Sequence, residues 1–423
     1  MTNDVDAEAI AAAARSALPY AHPNDLAPLL AAIGDAQFVC LGESTHGTRE
    51  FYELRAEITR RLVAEKGFSV VLVEGEWPAG SRVNRFISGV SLDTSAEAAL
   101  ASFEGFPKWM WRNAPTARLA EDLRQHNARA RAERREQDDA RAALEAMRAG
   151  GATNEQLEEA GLPRSLIEAG PCDGRPTDAS FYGMDVYSVN ASAAAVLEFL
   201  DIVDPEAASS ACARYSVLSE YGDDMKRYGY ESTRGIMASR SDEIQSGLVQ
   251  VLADLQRQNR EAYALMMDPA ELLNAEQNAQ VVVNGENYFR GLWESDVGSV
   301  ATWNLRDQHM VQTCLRLLEY HQTMGGTGGS VKMVLWAHNS HVGDATATEL
   351  SVREEWNLGQ MMRTTFGAEA VFLCGFGTHS GQVTAAHEWG GEASTFELSR
   401  AEDGSHEALM HEALLQVRER QAS

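Results

Sequence analysis

Five short runs of the chain are almost wholly apolar: Phe38–Leu41, Val70–Val73, Phe181–Met184, Val331–Trp336 and Ala370–Cys374. Such runs lack the alternation of a half-exposed strand, and so predict strands covered on both faces. The stretches between them follow a helical period. On Thr48–Lys66, Phe51, Leu54, Ile58 and Leu62 recur at three- and four-residue intervals, and Gly67 supplies a stop. Buried strands alternating with helices predict an α/β fold, with a central, largely parallel sheet flanked by helices.

Two long segments carry no convincing strand. Arg112–Arg148 has charges of both signs at helical spacing, the signature of a solvated face. Gly150–Gly151 and Gly161–Pro176 read as turns and loops. A second helical stretch runs from Asn190 to about His321, with breaks near Asp204–Pro205, Tyr228–Gly229 and Asp268–Pro269. Gly325–Gly329 links it to the next strand. The expected layout is the start of an α/β core (1–77), a helical insertion (78–179), a core strand (180–189), a helical segment (190–325), and the end of the core with a C-terminal helix (326–423). The all-helical insertions would form a cleft over the strand carboxyl ends.

Charge narrows the partners. Lys and Arg number 36 against 62 Asp and Glu, a net of −26. That field repels phosphate backbones and anionic lipid, so nucleic acid and bare membrane are not expected partners. The five cysteines form no CxxC pair, which argues against a disulfide framework or a structural zinc site. No basic segment leads into an apolar one at the start, and no run of about eighteen apolar residues occurs. A cytoplasmic protein is expected.

In open α/β sheets, ligands bind beyond the carboxyl ends of the strands. Here those ends are rich in acids and histidines. The first strand is followed by Gly42-Glu43-Ser44-Thr45-His46-Gly47 and the second by Glu74-Gly75-Glu76-Trp77. The third ends at Asp185, the fourth leads into Ala337-His338-Asn339-Ser340-His341, and the fifth into Gly375-Phe376-Gly377-Thr378-His379. Glu43 can raise the basicity of His46 and fix its tautomer, as a general base requires. The same spacing also suits a capping box. Ser44 stands in Gly-x-Ser-x-His, a weak match to a nucleophile elbow, and helix capping by Ser44 or Thr45 is the simpler expectation. His338 and His341, read as a loop pair, could ligate a metal together with Glu43 and His46, could donate to an oxyanion, or could simply lie on the surface. Arg55 sits beside an apolar helical stripe, where arginine ordinarily keeps its head in solvent. Trp77, Trp109, Trp111, Trp293 and Trp303 lie in or beside the helical segments, as core packing or as walls of an apolar cleft.

Together these blocks resemble the erythromycin esterase family. The Gly42–Gly47 block, Glu53-Leu54-Arg55 and Val73-Glu74 agree in order with Phe106–Trp111, Phe181–Asp185, Asn274–Asn278, Trp303–Met310, Trp336–His341, Leu358-Gly359 and Phe366-Gly367. The resemblance spans most of residues 36–380. It implies a metal-independent hydrolase that opens macrocyclic lactones, an antibiotic-resistance activity. In the family the histidine matched by His46 is the base that activates water. Motif by motif, Glu43, Arg55, Glu74, His338 and His341 complete the polar floor, with Glu43 orienting His46 and Arg55, His338 or His341 polarising the carbonyl. Trp77, Trp109, Trp111, Arg306 and Asp307 are then candidate substrate-binding residues. A bulky ester or macrolactone is the expected partner, with no cofactor. The Phe106–Trp111 and Trp303–Met310 blocks look closest to members whose natural substrate is undefined. Two enzyme alternatives stay open: a metal-dependent hydrolase using Glu43, His46, His338 and His341, and a natural-product biosynthetic enzyme catalysing cyclisation, elimination or acyl transfer on a polyketide-like substrate. A binding protein without catalysis has little use for so many ionisable groups in one cleft.

Overall fold

A computed structural model describes residues 4–161, 164, 167, 177–222, 224–294, 298–324 and 330–422. The expected loop at Gly161–Pro176, beyond its first residue and two isolated positions, lies outside these residues, as does the expected link at Gly325–Gly329.

Five parallel strands form the core: β1 (Phe38–Leu41), β2 (Val70–Glu76), β3 (Ser180–Asp185), β4 (Met333–Trp336) and β5 (Val371–Cys374). Their order across the sheet is β3-β2-β4-β1-β5. The α/β architecture with a parallel sheet is therefore present. Residues of one strand alternate between two apolar layers. Val39, Leu41, Val71, Val73, Val334 and Trp336 join the layer that contains Ile58, Leu62, Phe86 and Leu123. Phe38, Cys40, Val70, Leu72, Met333 and Leu335 join the opposite layer with Met310, Cys314, Leu317 and Met362. Both faces are covered, which is why the runs are continuously apolar rather than alternating.

The Arg49–Lys66 helix follows β1 and buries Phe51, Ile58 and Leu62, as the spacing predicts. It ends where Gly67 turns left-handed at φ 72°, a conformation that costs glycine nothing. The expected capping by Ser44 or Thr45 is not what forms. The N-cap is Thr48, whose side chain caps nothing; its Oγ1 meets Thr45 Oγ1 at 2.5 Å.

Between β2 and β3 the described chain is helical, including Ala114–Ala149. Between β3 and β4 lies a second helical block with its own core, from Val189 through Tyr228 to Phe289. It seats tightly on the sheet side, where a Cβ at Gly285 would crowd Val186 O and Val189. After β5 the chain adds an antiparallel hairpin, β6 (Gly381–Ala385) and β7 (Ser394–Leu398), before the His406–Ala422 helix. Only the helix was expected there. No helix among the described residues is long and apolar enough to cross a membrane, and none of the described cysteines is in a disulfide.

The carboxyl ends of the strands are pressed together by glycines. A Cβ at Gly183 would overlap the backbone of Gly75 and Glu76. Gly183→Ala should therefore lower stability by about 1–3 kcal/mol through overpacking, read as a fall in thermal midpoint. A midpoint unchanged from wild type would show that the β2–β3 contact relaxes freely.

Candidate active site

The site is assembled from the loops that leave β1, β2, β3 and β4 on one edge of the sheet. In-register pairing of Leu41 and Val73 with Trp336 brings the residues just after them side by side.

Two charge relays meet there. The first begins at Glu43, which is completely buried. Its Oε2 accepts from Arg55 Nη2 at 2.9 Å and its Oε1 lies 2.9 Å from His46 Nδ1. Tyr52 braces the turn by donating to His46 O at 3.1 Å. Because the carboxylate accepts from Nδ1–H, the neutral ring carries its lone pair on Nε2, and Nε2 has no partner among the described residues. The His46 side chain is 35 % exposed. Burial works against charging it. The Glu43 hydrogen bond and the charge of Glu74 outweigh that, and hold its pKa above the ordinary 6.5.

The second relay centres on Glu74. Its Oε2 accepts the His338 backbone N–H at 2.8 Å and its Oε1 accepts from Arg306 at 2.6 Å. Arg306 also makes a forked pair with Asp185 at 2.9 and 2.7 Å. Asp307 meets His341 Nδ1 at 2.5 Å and accepts the Leu358 backbone N–H at 2.7 Å. His341 stacks on Trp303 at 4.6 Å. Burial opposes its charging, but Glu74 and Asp307 prevail and raise its pKa to about 9. Burial also opposes ionisation of Glu74, yet His341 and Arg306 hold that carboxyl well below its usual range.

His338 behaves oppositely to His46. It is the N-cap of a one-turn helix, Asn339–Val342, and its Nδ1 accepts from Ser340 N at 3.2 Å. Burial depresses its pKa, only partly offset by a hydrogen bond with the Ser44 backbone. It is thus a neutral ring beside one biased toward charge, with centroids 5.4 Å apart. Environments that push two neighbouring groups in opposite directions separate a base from a donor.

Several expectations are redrawn. His338 and His341 are not a loop pair: they begin a helical turn, and His341 faces inward at 2 % exposure. Arg55 does not snorkel. It is fully buried between the rings of Tyr52 and Trp336 at 4.4 and 4.7 Å, so it reaches Glu43 and not the cleft. Asp307 is likewise fully buried, and Arg306 is committed to Asp185 and Glu74; neither presents a free group to a substrate. Trp77 is 1 % exposed, stacked on Tyr182 and bonded to Asn274 Oδ1. Trp111 is 4 % exposed and donates to Glu74 O at 3.1 Å. Both are packing residues, not cleft walls. Trp109 remains part-buried, edge-on to Phe106 at 5.2 Å. Ser44 Oγ has no hydrogen-bond partner, so nothing activates it as a nucleophile. Among the described residues no group of three or more His, Cys, Asp or Glu is arranged to hold a metal ion.

Sequence reasoning gave no role to Asn339. Asn339 clips three strand ends: its N–H bonds Glu43 O at 2.8 Å, and its side chain bonds Phe376 O at 2.7 Å and Phe376 N at 3.2 Å. The signal lay in Gly42, where a Cβ would overlap Asn339 Oδ1.

The sequence model of the family described as "Erythromycin esterase" matches residues 63–418. The chain belongs to the erythromycin esterase family. That match begins after the Glu43–Gly47 loop, so the position of His46 rests on the geometry above. Erythromycin esterase type II of Escherichia coli is 33 % identical over 86 residues, which is 19 % of this chain and 20 % of that protein. The alignment thus spans about a fifth of that relative's length. Among solved structures, a Bacillus cereus protein is 17 % identical with a TM-score of 0.66 over 97 % of this chain and 83 % of its own. A succinoglycan biosynthesis protein is 17 % identical with a TM-score of 0.65 over 95 % and 82 %. A histidine-to-asparagine variant of the erythromycin esterase EreC, in its open conformation, is 14 % identical with a TM-score of 0.60 over 92 % and 83 %. These likenesses establish the shared fold.

Arg55→Ala would leave Glu43 buried without its cation. Loss of one partner of a buried pair costs about 3–5 kcal/mol, so the variant should melt well below wild type. A melting temperature equal to wild type would show that Glu43 does not depend on Arg55.

Proposed function

We propose that this erythromycin esterase-family chain hydrolyses the ester bond of a bulky small molecule, macrocyclic lactones included, with His46 as the base that activates water. The observation that carries this reading is the pairing of His46, its Nδ1 held by buried Glu43 and its Nε2 unpartnered, with neutral His338 5.4 Å away.

Water bound between the rings loses a proton to His46 Nε2 as its oxygen attacks the ester carbonyl. Glu43 stabilises the imidazolium through Nδ1–H, and Arg55 keeps Glu43 ionised from behind. His338 accepts at Nδ1 from Ser340, so its neutral ring carries the proton on Nε2; that N–H, which meets the Ser44 backbone here, would turn from it to the oxyanion when substrate binds. Such a donor is worth about 2.7–4 kcal/mol. When the tetrahedral intermediate collapses, His46 returns its proton to the departing alkoxide, giving acid and alcohol. Glu74 fixes the His338 backbone, His341 and Arg306 keep Glu74 charged, and Asp307 holds His341; these act by positioning.

A transferase reading, in which a sugar or polyketide hydroxyl replaces water, uses the same base. It is raised by the shared fold of the succinoglycan biosynthesis protein. The products separate the two: hydrolysis adds one water to the substrate mass, and transfer joins two substrates.

The test is mass spectrometry of the protein with a panel of fourteen- and sixteen-membered macrolides and simple activated esters. His46→Ala should lose about a hundred- to ten-thousand-fold in rate with unchanged circular dichroism. Retention of a tenth of the wild-type rate would remove His46 as base. The base must be neutral to work, so activity should fall as pH drops through a pKa above 6.5. Glu43→Gln removes one of the two carboxylates that raise that pKa, and should move this limb to lower pH. A limb that stays in place would separate it from His46. Chelator treatment should leave the rate unchanged; loss of activity that is restored by added metal would favour the metal-dependent alternative.

A further inference from the structure

The β6–β7 hairpin has no part in the chemistry above, yet it lies against the loop that carries it. Next to its turn, Thr384 N donates to Gly47 O at 3.1 Å, and a Cβ at Gly47 would overlap the Thr384 backbone. The hairpin therefore rests on the residue that follows His46. Its tip carries Trp389, which is 62 % exposed. An exposed tryptophan at a turn is costly to solvate and in a free loop would gain nothing.

This one is not free. Its ring lies 4.9 Å from Phe106, which is itself edge-on to Trp109. Lys226 Nζ also sits 4.4 Å over the ring. Phe106 directly follows Glu104 and Gly105, whose backbone N–H groups bond Glu76 at the end of β2. Lys226 belongs to the Met225–Ser232 helix of the second helical block. The hairpin thus runs from the β1 loop to the β2 loop and to the helical block, along the edge of the sheet where His46 and His338 stand.

We infer that Trp389, backed by Phe106, is a specificity-determining apolar wall that favours esters with a large apolar acyl group. The inference rests on the esterase reading. The ester carbonyl lies between His46 and His338, and the apolar body extends along the hairpin to Trp389. A tryptophan face offers a large rigid contact that loses little entropy on binding. The neighbouring cation leaves room for polar substituents at the rim.

The experiment compares p-nitrophenyl decanoate with p-nitrophenyl acetate, which share a leaving group, in wild type, Trp389→Ala and Trp389→Phe. Trp389→Ala should lower kcat/KM for decanoate about tenfold more than for acetate, mainly through KM, the scale of discrimination an apolar pocket provides. Trp389→Phe should restore most of it. Equal changes on both esters, or none on either, would overturn the inference. In parallel, calorimetry on His46→Ala measures binding of the corresponding decanoyl and acetyl anilides. Preferential binding of the decanoyl compound that is lost in His46→Ala/Trp389→Ala supports the wall even if no ester is turned over, an outcome that would sink the esterase reading alone. Absence of any decanoyl preference would sink the wall, whatever the esterase result.

Discussion

Buried carboxylate charge is the constraint around which this molecule is arranged. Glu43, Glu74, Asp185 and Asp307 all lie under the strand ends at 4 % exposure or less. A carboxylate taken out of water without compensation neutralises itself by holding a proton. Arg55 meets Glu43, and Arg306 meets Glu74 and Asp185; at Asp307 burial outweighs His341 and the Leu358 N–H and pushes its carboxyl up. Each relay ends on a histidine of the cleft, one through the His46 ring and one through the His338 backbone. The arginines are therefore neither surface charges nor substrate clamps. They keep negative charge in place where water cannot.

That explains which parts of the site could be read from sequence. Glu43, His46, Glu74, Asp185 and His338 leave the strands directly, and a parallel sheet puts all strand exits on one edge. Once Phe38–Leu41 and Val70–Val73 are recognised as strands, the gathering follows. For Arg55, periodicity shows that it borders the apolar stripe, and the family resemblance leaves it a carboxylate or a developing oxyanion to reach; the structure gives it the carboxylate, Glu43. Arg306 and Asp307 pose a similar difficulty, since nothing local reveals that of two consecutive helical residues one serves two acids and the other a histidine. Trp77 and Trp111 were misjudged because a tryptophan beside a motif looks the same in sequence whether it packs beneath the floor or lines the wall.

The hairpin escaped notice for another reason. Its strands are five residues each and mostly exposed, so they lack the dense apolar runs that betray the core. The glycines at Gly390 and Gly391 were its main signal, and only Val383 is buried within it. Chemistry and selectivity are thus carried by different kinds of structure here. The relays are built on a covered sheet whose pattern is strong, and the proposed wall sits on a surface ribbon whose pattern is weak. Substitutions in the ribbon could alter what is recognised without disturbing what is done to it.

The order of the sheet has a consequence for how the chain comes into being. β4 is the middle strand and separates β1 from β2, yet it lies far to the C-terminal side of both. During synthesis β1 and β2 emerge early with no direct pairing available to them, and most of the polypeptide leaves the ribosome before the strand that joins them arrives. Until then β2 has only β3 beside it and β1 has no strand neighbour at all. Such non-local closure is slow and exposes sticky intermediates. The two helical blocks between β2 and β4, each able to bury side chains locally, occupy that interval, and the arrival of β4 joins β1 to β2 and brings His338 to His46 in the same event, leaving only the edge strand β5 to be added.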